Sequence, residues 1–516
     1  MRDMKGQNDS LRLGLEILTP VQTGTGGNLI QHIDYIDLGG QVFMVDQART
    51  FAALATGDQT LDAVLSGARL DDLVRLAGAR HGQILPSLHG APGVPREFRA
   101  QLKDAFLRPY LPGTALKGAI RTALFAAALR RLPDTTWQHL LPAKHNKPTP
   151  YAKKAAQELS KQVFGANPNQ DRLRALHVGD ALYQPDDLRL ADIRWLNLIG
   201  PAKPYQARWR NMATRTSVHR WQDAPGLYAE MLAPGTLAPV TLQWDRFLLS
   251  DPVVWGGRDG LPGILPVNFE ALRQVLNDHA RHRLEREIDF YRTYRQDGPL
   301  QQCLRLLALL EREPDAAYLQ LAWGSGWRGM TGDWLAEEER ERLRGLYREM
   351  RGRDGMPFPK TRRLAVWNHQ PCLPLGWLRL LPWEAALRTE AGQAHAHRAA
   401  EARKTEAQAR QRAEEAEQAA RAEAERQAQR AALSEAARAV EDFRERMARE
   451  RAEWVRQGIS GQWFQALRAL AGDAAGWEPA DRARLRELVE AIGGLAPALA
   501  PKKNDHIKKL LRSLAP

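Results

Sequence analysis

A turn followed at once by a one-sided helix, near residue 113, limits the folds open to this chain more than any other feature. Tyr110-Leu111 lies between two prolines, and residues before proline avoid the α region, so this dipeptide is extended. Pro112-Gly113 then predicts a turn. Thr114 can cap a helix, and apolar residues recur at helical spacing over residues 116–124. The sequence therefore predicts an extended segment, a turn and an amphipathic helix in succession.

The polar side of this helix carries two cations. Lys117 and Arg121 are about one helical turn apart, so they share a face away from the apolar one. Because the N-terminus of a helix has a partial positive charge and unpaired amides, this end suits a phosphate. An ordinary helix with a solvated basic face is the alternative. The candidate anion-binding residues are Gly113, Thr114, Lys117 and Arg121.

The charge of the chain favours an acidic partner. The 516 residues include 74 Lys+Arg and 61 Asp+Glu, which gives a net charge of +13. Residues 391–516 carry only +4 of that charge and leave +9 for residues 1–390. A basic excess in the globular part favours a polyanion such as nucleic acid.

The sequence lacks the signals of several other protein classes. No Walker loop, zinc-binding cysteine set, HExxH motif or nucleophile elbow occurs, so we expect no cofactor and no metal. No apolar run approaches the length of a membrane span, the N-terminus has no signal-peptide pattern, and the two cysteines fit a reducing compartment. We therefore expect a cytoplasmic protein.

A stretch of cations and aromatic residues at 203–221 forms a second candidate site. It contains no carboxylate, and interleaved cations and rings suit RNA, which needs phosphate contacts and base stacking. The alternative is a hairpin whose tryptophans belong to the core. The candidate contacts are Lys203, Arg208, Arg210, Arg215 and Arg220.

Two glycine-rich segments accompany predicted strands. Residues 19–27 predict a flexible loop ahead of a hairpin at 33–45, and residues 324–332 predict a second loop after a helix and a strand. Glycine lets backbone approach a ligand closely. Two further strands, paired with each other, are predicted at 360–366 and 375–381. The remaining candidate contacts are Arg328, Lys360, Arg362 and Arg363.

The sequence changes character after Gly392. From there to Arg456 it consists mainly of Ala, Glu, Arg and Gln, which are strong helix formers with many opposite charges one turn apart. Large apolar residues are almost absent before Val440, so no coiled-coil seam is present. A long solvent-exposed helix and an alanine-packed helical hairpin remain open. Residues 458–516 predict a small helical cap with a basic tail.

Several of these motifs resemble one protein family. Pro-Gly-Thr followed by Leu-Lys-Gly-Ala-Ile-Arg resembles the signature of the RAMP superfamily, the RNA-binding subunits of CRISPR effector complexes. The segments at 19–26, 176–180 and 230–237 resemble further motifs of that family. Residues 323–327, 359–363 and 374–378 resemble the distal part of the fifth-subunit type of type III-A (Csm) complexes. The resemblance covers about residues 10–385 in order.

The resemblance implies a fold and a partner. The implied fold is α+β, with ferredoxin-like (RRM-like) modules at 10–250 and 251–390 that carry helical insertions. A long helical C-terminal extension follows, divided into a charged helix at 391–457 and the cap at 458–516. The implied function is to bind and cap the 3′ region of crRNA, a single-stranded RNA, beside the other subunits of a type III complex. A part in crRNA 3′-end maturation with cellular nucleases, and so in antiviral defence, is also implied.

Two alternatives to non-catalytic RNA binding remain. In backbone subunits of these complexes an aspartate supports metal-dependent cleavage of target RNA, and Asp34 lies in roughly that region, which allows a RAMP endoribonuclease acting on crRNA precursor or target RNA. Asp34 falls within a predicted strand, however, and the fifth-subunit type is understood as a non-catalytic end cap. The other alternative is a structural scaffold that docks proteins through its C-terminal helix.

Overall fold

The chain forms two compact units, residues 1–399 and residues 400–516. In this computed structural model, the described residues are 8–55, 67, 69–78, 80–88, 93–133, 157–200, 204–250, 261, 263–321, 323–329, 357–495, 499–500 and 503–515. Among them, helices and strands are both abundant, as expected of an α+β protein.

The strands all belong to the first unit. They are β1 (Asn8–Ile17), β2 (Gly24–Ile30), β3 (Tyr35–Asp37), β4 (Val42–Val45), β5 (Gly82–Leu85), β6 (Glu97–Gln101), β7 (Tyr110–Leu111), β8 (Leu176–Val178), β9 (Ala181–Leu182), β10 (Leu188–Ile199), β11 (Gln206–Arg210), β12 (Ser217–Val218), β13 (Leu227–Leu232), β14 (Leu237–Asp245), β15 (Ala317–Gln320), β16 (Thr361–Trp367), β17 (Gln370–Pro374) and β18 (Trp377–Pro382) among the described residues.

Helices occur in both units. In the first they are α1 (Gln47–Leu54), α2 (Leu70–Leu76), α3 (Gly113–Leu129), α4 (Gln157–Phe164), α5 (Arg246–Ser250), α6 (Phe269–Thr293), α7 (Asp297–Arg312) and α8 (Trp383–Ala386). Helix α9 (Glu390–Ala431) begins in the first unit and continues into the second. The others are α10 (Glu435–Arg449), α11 (Arg451–Gln457), α12 (Gln462–Asp473), α13 (Pro479–Leu495) and α14 (Asp505–Ser513).

An antiparallel five-stranded sheet, ordered β15–β18–β1–β14–β8, builds the main core. The apolar positions predicted for the first strand, Leu13 and Leu15, are fully buried there. They belong to the same apolar cluster as Leu116 and Ile120 of α3. The amphipathic helix predicted from its spacing is thus confirmed, and its apolar side packs on this sheet.

A second, larger sheet is built around the long strand β10, which pairs with β11, β13 and β16. Its order is β12–β11–β10–β13–β6–β2, and β16 pairs with β10 and with β17. Both large sheets combine strands from before and after residue 250. The assignment of two ferredoxin-like modules stays a prediction.

Three local predictions were wrong. The predicted flexible loop at 19–27 contains the start of β2, because pairing with β6 gives its backbone hydrogen-bond partners. Asp34 lies in a turn before β3 rather than in a strand, and its carboxylate accepts a hydrogen bond from the backbone N–H of Ile30 at 2.7 Å. The predicted strands β16 and β18 both form, but they lie in different sheets, separated by the unpredicted β17.

The C-terminal extension contains one long exposed helix and a small helical core. Helix α9 spans 42 residues, with ion pairs one turn apart such as Arg421–Glu417 at 2.6 Å, so the exposed-helix alternative is the one observed. It ends at Ala431 rather than near Arg456. The next helix is capped by Ser434, whose Oγ accepts a hydrogen bond from the N–H of Ala437 at 3.0 Å. Helices α10 to α14 share one apolar cluster, so residues 435–457 pack with the predicted cap.

Candidate functional site

Helix α3 begins where another strand passes very close. A Cβ atom at Gly113 would lie 2.0 Å from the carbonyl oxygen of Val178, so only glycine fits. The N–H of Gly113 donates to Asp180 Oδ1 at 2.6 Å. The prediction that Thr114 caps the helix was wrong, because the helix starts at Gly113, with Pro112 in the cap position and no side-chain cap bond. Asp180 therefore supplies negative charge at the place where we expected a phosphate.

Lys117 and Arg121 line one cavity of about 430 Å³ between α3 and α4, as their spacing predicts. The guanidinium of Arg121 pairs with Asp171 at 2.6 Å and donates to Ser160 Oγ at 3.0 Å. It also lies 3.8 Å from the ring centroid of Phe164. Arg121 is thus held in place by three neighbours and forms a fixed wall of the cavity.

Lys117 differs from Arg121 in its surroundings. Burial lowers the pKa of Lys117, Asp171 acts in the opposite direction, and Arg121 lowers it again. Lys161 and Arg174 line the same cavity. Four cations thus surround one carboxylate, Asp171, which makes the cavity suitable for an anion.

The stretch at 203–221 forms the hairpin β11–β12, with Lys203 outside the described residues. Trp209 packs against an apolar cluster, as the core alternative predicts. Arg215, at the tip with a φ of 58°, and Arg220, which follows β12, are both exposed. The guanidinium of Arg208 donates to Gln206 Oε1 at 2.6 Å, and Arg210 is half-buried. The hairpin combines core tryptophan and exposed cations, and its RNA contact stays a prediction.

A second cavity, of about 230 Å³, brings the later glycine-rich segment and β16 together. The loop predicted at 324–332 is helical over residues 326–329. Gly324, with a φ of 100°, lies so close to Leu375 that a Cβ would come within 2.6 Å of Leu375 Cδ1. The lining includes four cations and three indole rings around a single carboxylate, Glu287. These cations and indoles are Arg283, Arg328, Arg362, Arg363, Trp195, Trp327 and Trp377. Lys360 is exposed just before β16.

Arg362 is anchored within this cavity. Its Nε donates to Glu287 at 2.6 Å, its Nη1 donates to the carbonyl oxygen of Pro359 at 2.7 Å, and its guanidinium lies 3.9 Å from the ring centroid of Phe290. Burial lowers the pKa of Arg362, but Glu287, Tyr291 and Cys303 together raise it above its ordinary value. The side chain of Arg362 therefore braces β16 against α6.

Arg363 takes part in an arrangement that the sequence did not predict. Its guanidinium lies 4.7 Å from the ring centroid of Trp195 and 4.9 Å from that of Trp323. Arg99 lies 5.2 Å from the same Trp323 ring. We call these four side chains the arginine–tryptophan ladder. Trp323 and Arg363 belong to the family-like segments at 323–327 and 359–363. No motif in the local sequence identified Arg99 or Trp195 as candidate site residues.

The described part of the chain contains neither a membrane-spanning helix nor a cluster of metal ligands. No helix there is long and apolar enough to cross a membrane. No group of three or more His, Cys, Asp or Glu side chains is placed there to hold a metal ion.

The sheets and basic cavities define an α+β protein whose surface is suited to anions. The chain belongs to the RAMP superfamily, whose family model matches residues 14–350, so the family predicted from the motifs is confirmed. No match was found among curated proteins.

Two solved structures are similar to this chain. One is a chain of a Csm–crRNA–target RNA ternary complex in a type III-A CRISPR-Cas system, determined by cryo-electron microscopy. It is 21% identical, with a TM-score of 0.50, and the match covers 72% of this chain and 100% of that chain. The other is the crystal structure of T. onnurineus Csm5, with 20% identity, a TM-score of 0.45, and coverage of 71% and 99%. The first similarity shows a shared fold.

Proposed function

We propose that this protein is a non-catalytic RNA-binding subunit of a type III-A CRISPR effector complex, and that it binds and caps the 3′ region of crRNA. The observation that carries the proposal is the 230 Å³ cavity, which combines Arg328 and Arg363 with the glycine-rich segment at 324–329. Membership of the RAMP superfamily supports it, as does the fold shared with a chain of a Csm–crRNA–target RNA complex.

The chemistry of the two cavities fits RNA backbone better than a specific base sequence. The 230 Å³ cavity is lined by arginines and the 430 Å³ cavity by arginines and lysines, with one carboxylate in each. Such cations bind phosphates and release counterions, so binding tolerates many sequences and weakens as salt rises. The partners are crRNA, the other subunits of the complex and, during 3′-end maturation, cellular nucleases.

The order of elements supports a ferredoxin-like module, but one that spans the predicted boundary at residue 250. Strand β1, helix α3, strands β8 and β14, helix α6 and strand β18 follow one another in βαββαβ order. Their four strands are neighbours in the order β8–β14–β1–β18. In this module α3 is the first helix, and Lys117 and Arg121 line the cavity between it and α4.

The capping proposal is tested by exonuclease digestion of a bound crRNA-like RNA labelled at its 5′ end. We expect a 3′→5′ exonuclease to stop at a protected 3′ segment. A 5′→3′ exonuclease should digest the opposite end, followed with a 3′ label, as fast as in free RNA. Digestion from the 3′ end at the rate of free RNA, with saturating protein, would overturn the proposal.

Lys117→Gln is expected to weaken RNA binding by about 1 kcal/mol, the scale of a single polar contact. Lys117 is the better choice for this test, since changing Arg121 would also release Asp171 into the cavity. Lys404→Gln, on the exposed part of α9, removes the same charge and serves as the control. Equal affinities of the two variants in a filter-binding assay would remove Lys117 from the site.

Asp34→Ala is expected to leave RNA binding unchanged. Neither the wild type nor this variant is expected to cleave RNA. The carboxylate of Asp34 already accepts the N–H of Ile30 in a turn. Gel shifts with and without Mg²⁺, with RNA integrity read in the same lanes, provide the measurement. Metal-dependent fragments that disappear in Asp34→Ala would make the protein an endoribonuclease instead.

A further inference from the structure

We propose that Arg99 and Arg363 together bind one phosphodiester group of single-stranded RNA, held in position by the indoles of Trp323 and Trp195. This inference rests on the proposed RNA binding and adds a contact site to it. The site lies on the second sheet, where β6 carries Arg99 and β16 carries Arg363.

The stacking of the two arginines leaves their phosphate-binding edges available. A guanidinium that lies over an indole contacts it with its flat face, and its N–H donors point outward in the plane. The guanidinium groups of Arg99 and Arg363 both lie over the Trp323 ring, and all four side chains of the ladder are half-buried. Trp323 packs against the apolar cluster that includes Ile193 and Ala365, so the support is fixed. Two arginines on one fixed support can therefore both donate to the oxygens of one phosphodiester group.

The charges around the ladder are not balanced by acids. Within the described ranges, neither Arg99 nor Arg363 forms an ion pair with a carboxylate, in contrast to Arg121 and Arg362. Burial and the nearby Arg99 both lower the pKa of Arg363. Glu97, two residues before Arg99 on β6, accepts a hydrogen bond from Asn28 Nδ2 at 3.0 Å. Two like charges that share one ring favour an anion between them.

The position of the ladder connects the two glycine segments. Arg99 stands opposite Asn28 in the register of β6 with β2, the strand that holds the first glycine segment. Arg363 and Trp195 line the cavity formed with Gly324 and its neighbours. An RNA strand that passes from one glycine segment to the other would cross the ladder. A free phosphate ion, which binds at one point, would not need this path between the two glycine segments.

The test compares Arg99→Gln and Arg363→Gln with a matched control, Arg12→Gln. Arg12 is exposed and lies 4.4 Å from the ring centroid of Trp383, so its loss also removes one charge and one arginine–indole contact. The probe is a fluorescein-labelled single-stranded RNA of mixed sequence, with affinity measured by anisotropy over a KCl series on the full chain. We expect each ladder variant to weaken binding about tenfold and to lower the slope of log K against log salt by about 0.7. The control should match the wild type.

The outcomes separate this inference from the proposed function. Wild-type binding with unchanged affinity and slope in both ladder variants would overturn the ladder and leave RNA binding standing. No binding by the wild type would overturn both. If a variant fails to fold, as judged by circular dichroism, wild-type protein is photo-crosslinked to 4-thiouridine RNA and the crosslinked peptides are identified. Crosslinks to peptides that contain Trp323 or Trp195 support the ladder, and crosslinks confined to other peptides overturn it.

Discussion

Gly113→Ala is expected to destabilise the first unit by about 3 kcal/mol, the upper range for forcing extra atoms into a packed site. The new Cβ would lie 2.0 Å from the carbonyl oxygen of Val178 and 2.8 Å from that of Gly179. Both are backbone atoms of the segment that leads from β8 to Asp180, so they cannot turn aside. Helix α3 would have to move away from β8 and lose the hydrogen bond from Gly113 to Asp180.

Gly118→Ala on the same helix is the matched control. Nothing lies within 4 Å of a Cβ at Gly118, so the substitution should stabilise the helix by about 0.5–1 kcal/mol through helix propensity. Urea unfolding followed by circular dichroism measures both effects. Equal stabilities of the two variants would mean that α3 does not start against Val178 as described.

Arg379→Met is expected to destabilise the first unit by about 3–5 kcal/mol, the usual cost of breaking a buried ion pair from one side. The Arg379 guanidinium on β18 bonds Glu16 on β1 through Nη2 at 2.9 Å and Nε at 3.1 Å, and it also pairs with Glu313. Glu16 and Arg379 are both buried, so the variant leaves a buried carboxylate without its cation.

The loss in Arg379→Met should depend on pH. Burial raises the pKa of Glu16 above 4.5 even in the wild type, and Arg379 opposes that rise. Without Arg379 the folded-state pKa rises further, so the folded state binds a proton that the unfolded state releases, and stability falls as pH increases. The deficit should therefore be larger at neutral pH than in mild acid. The double variant Glu16→Gln with Arg379→Met should recover much of the stability, and a failure to recover would assign the loss to packing instead.

Local elements of this fold were predictable because their causes are local. Helix α3 follows from apolar spacing after Pro112-Gly113, and the hairpin β3–β4 follows from the glycines at 39 and 40 between two apolar runs. Both depend on neighbouring residues alone. The long exposed helix likewise follows from its Ala, Glu and Arg content.

Contacts between distant segments were not predictable from local patterns. Strand β10 pairs with β16, which lies far away in the chain, and no periodicity in either strand specifies this partner. The same holds for the helix start at Gly113, where Asp180 replaces the expected Thr114 cap. The hydrogen bond between Gly113 and the distant Asp180 decides where the helix starts, and the local capping propensity of Thr114 does not.

The candidate site shows the same division. Lys117 and Arg121 share a cavity because they share a helix face, which sequence spacing determines. Whether each cation is available depends on acids elsewhere, since Asp171 holds Arg121 and Glu287 holds Arg362. Arg99 joins Arg363 only because the sheet and Trp323 bring them together.

Direct binding of RNA by the purified full chain tests the central claim most simply. Anisotropy of a labelled single-stranded RNA would be titrated with protein at several KCl concentrations, with RNA integrity examined afterwards. The account predicts saturable binding that weakens steeply as salt rises and leaves the RNA intact. Absence of binding at low salt, or an affinity that does not change with salt, would contradict it.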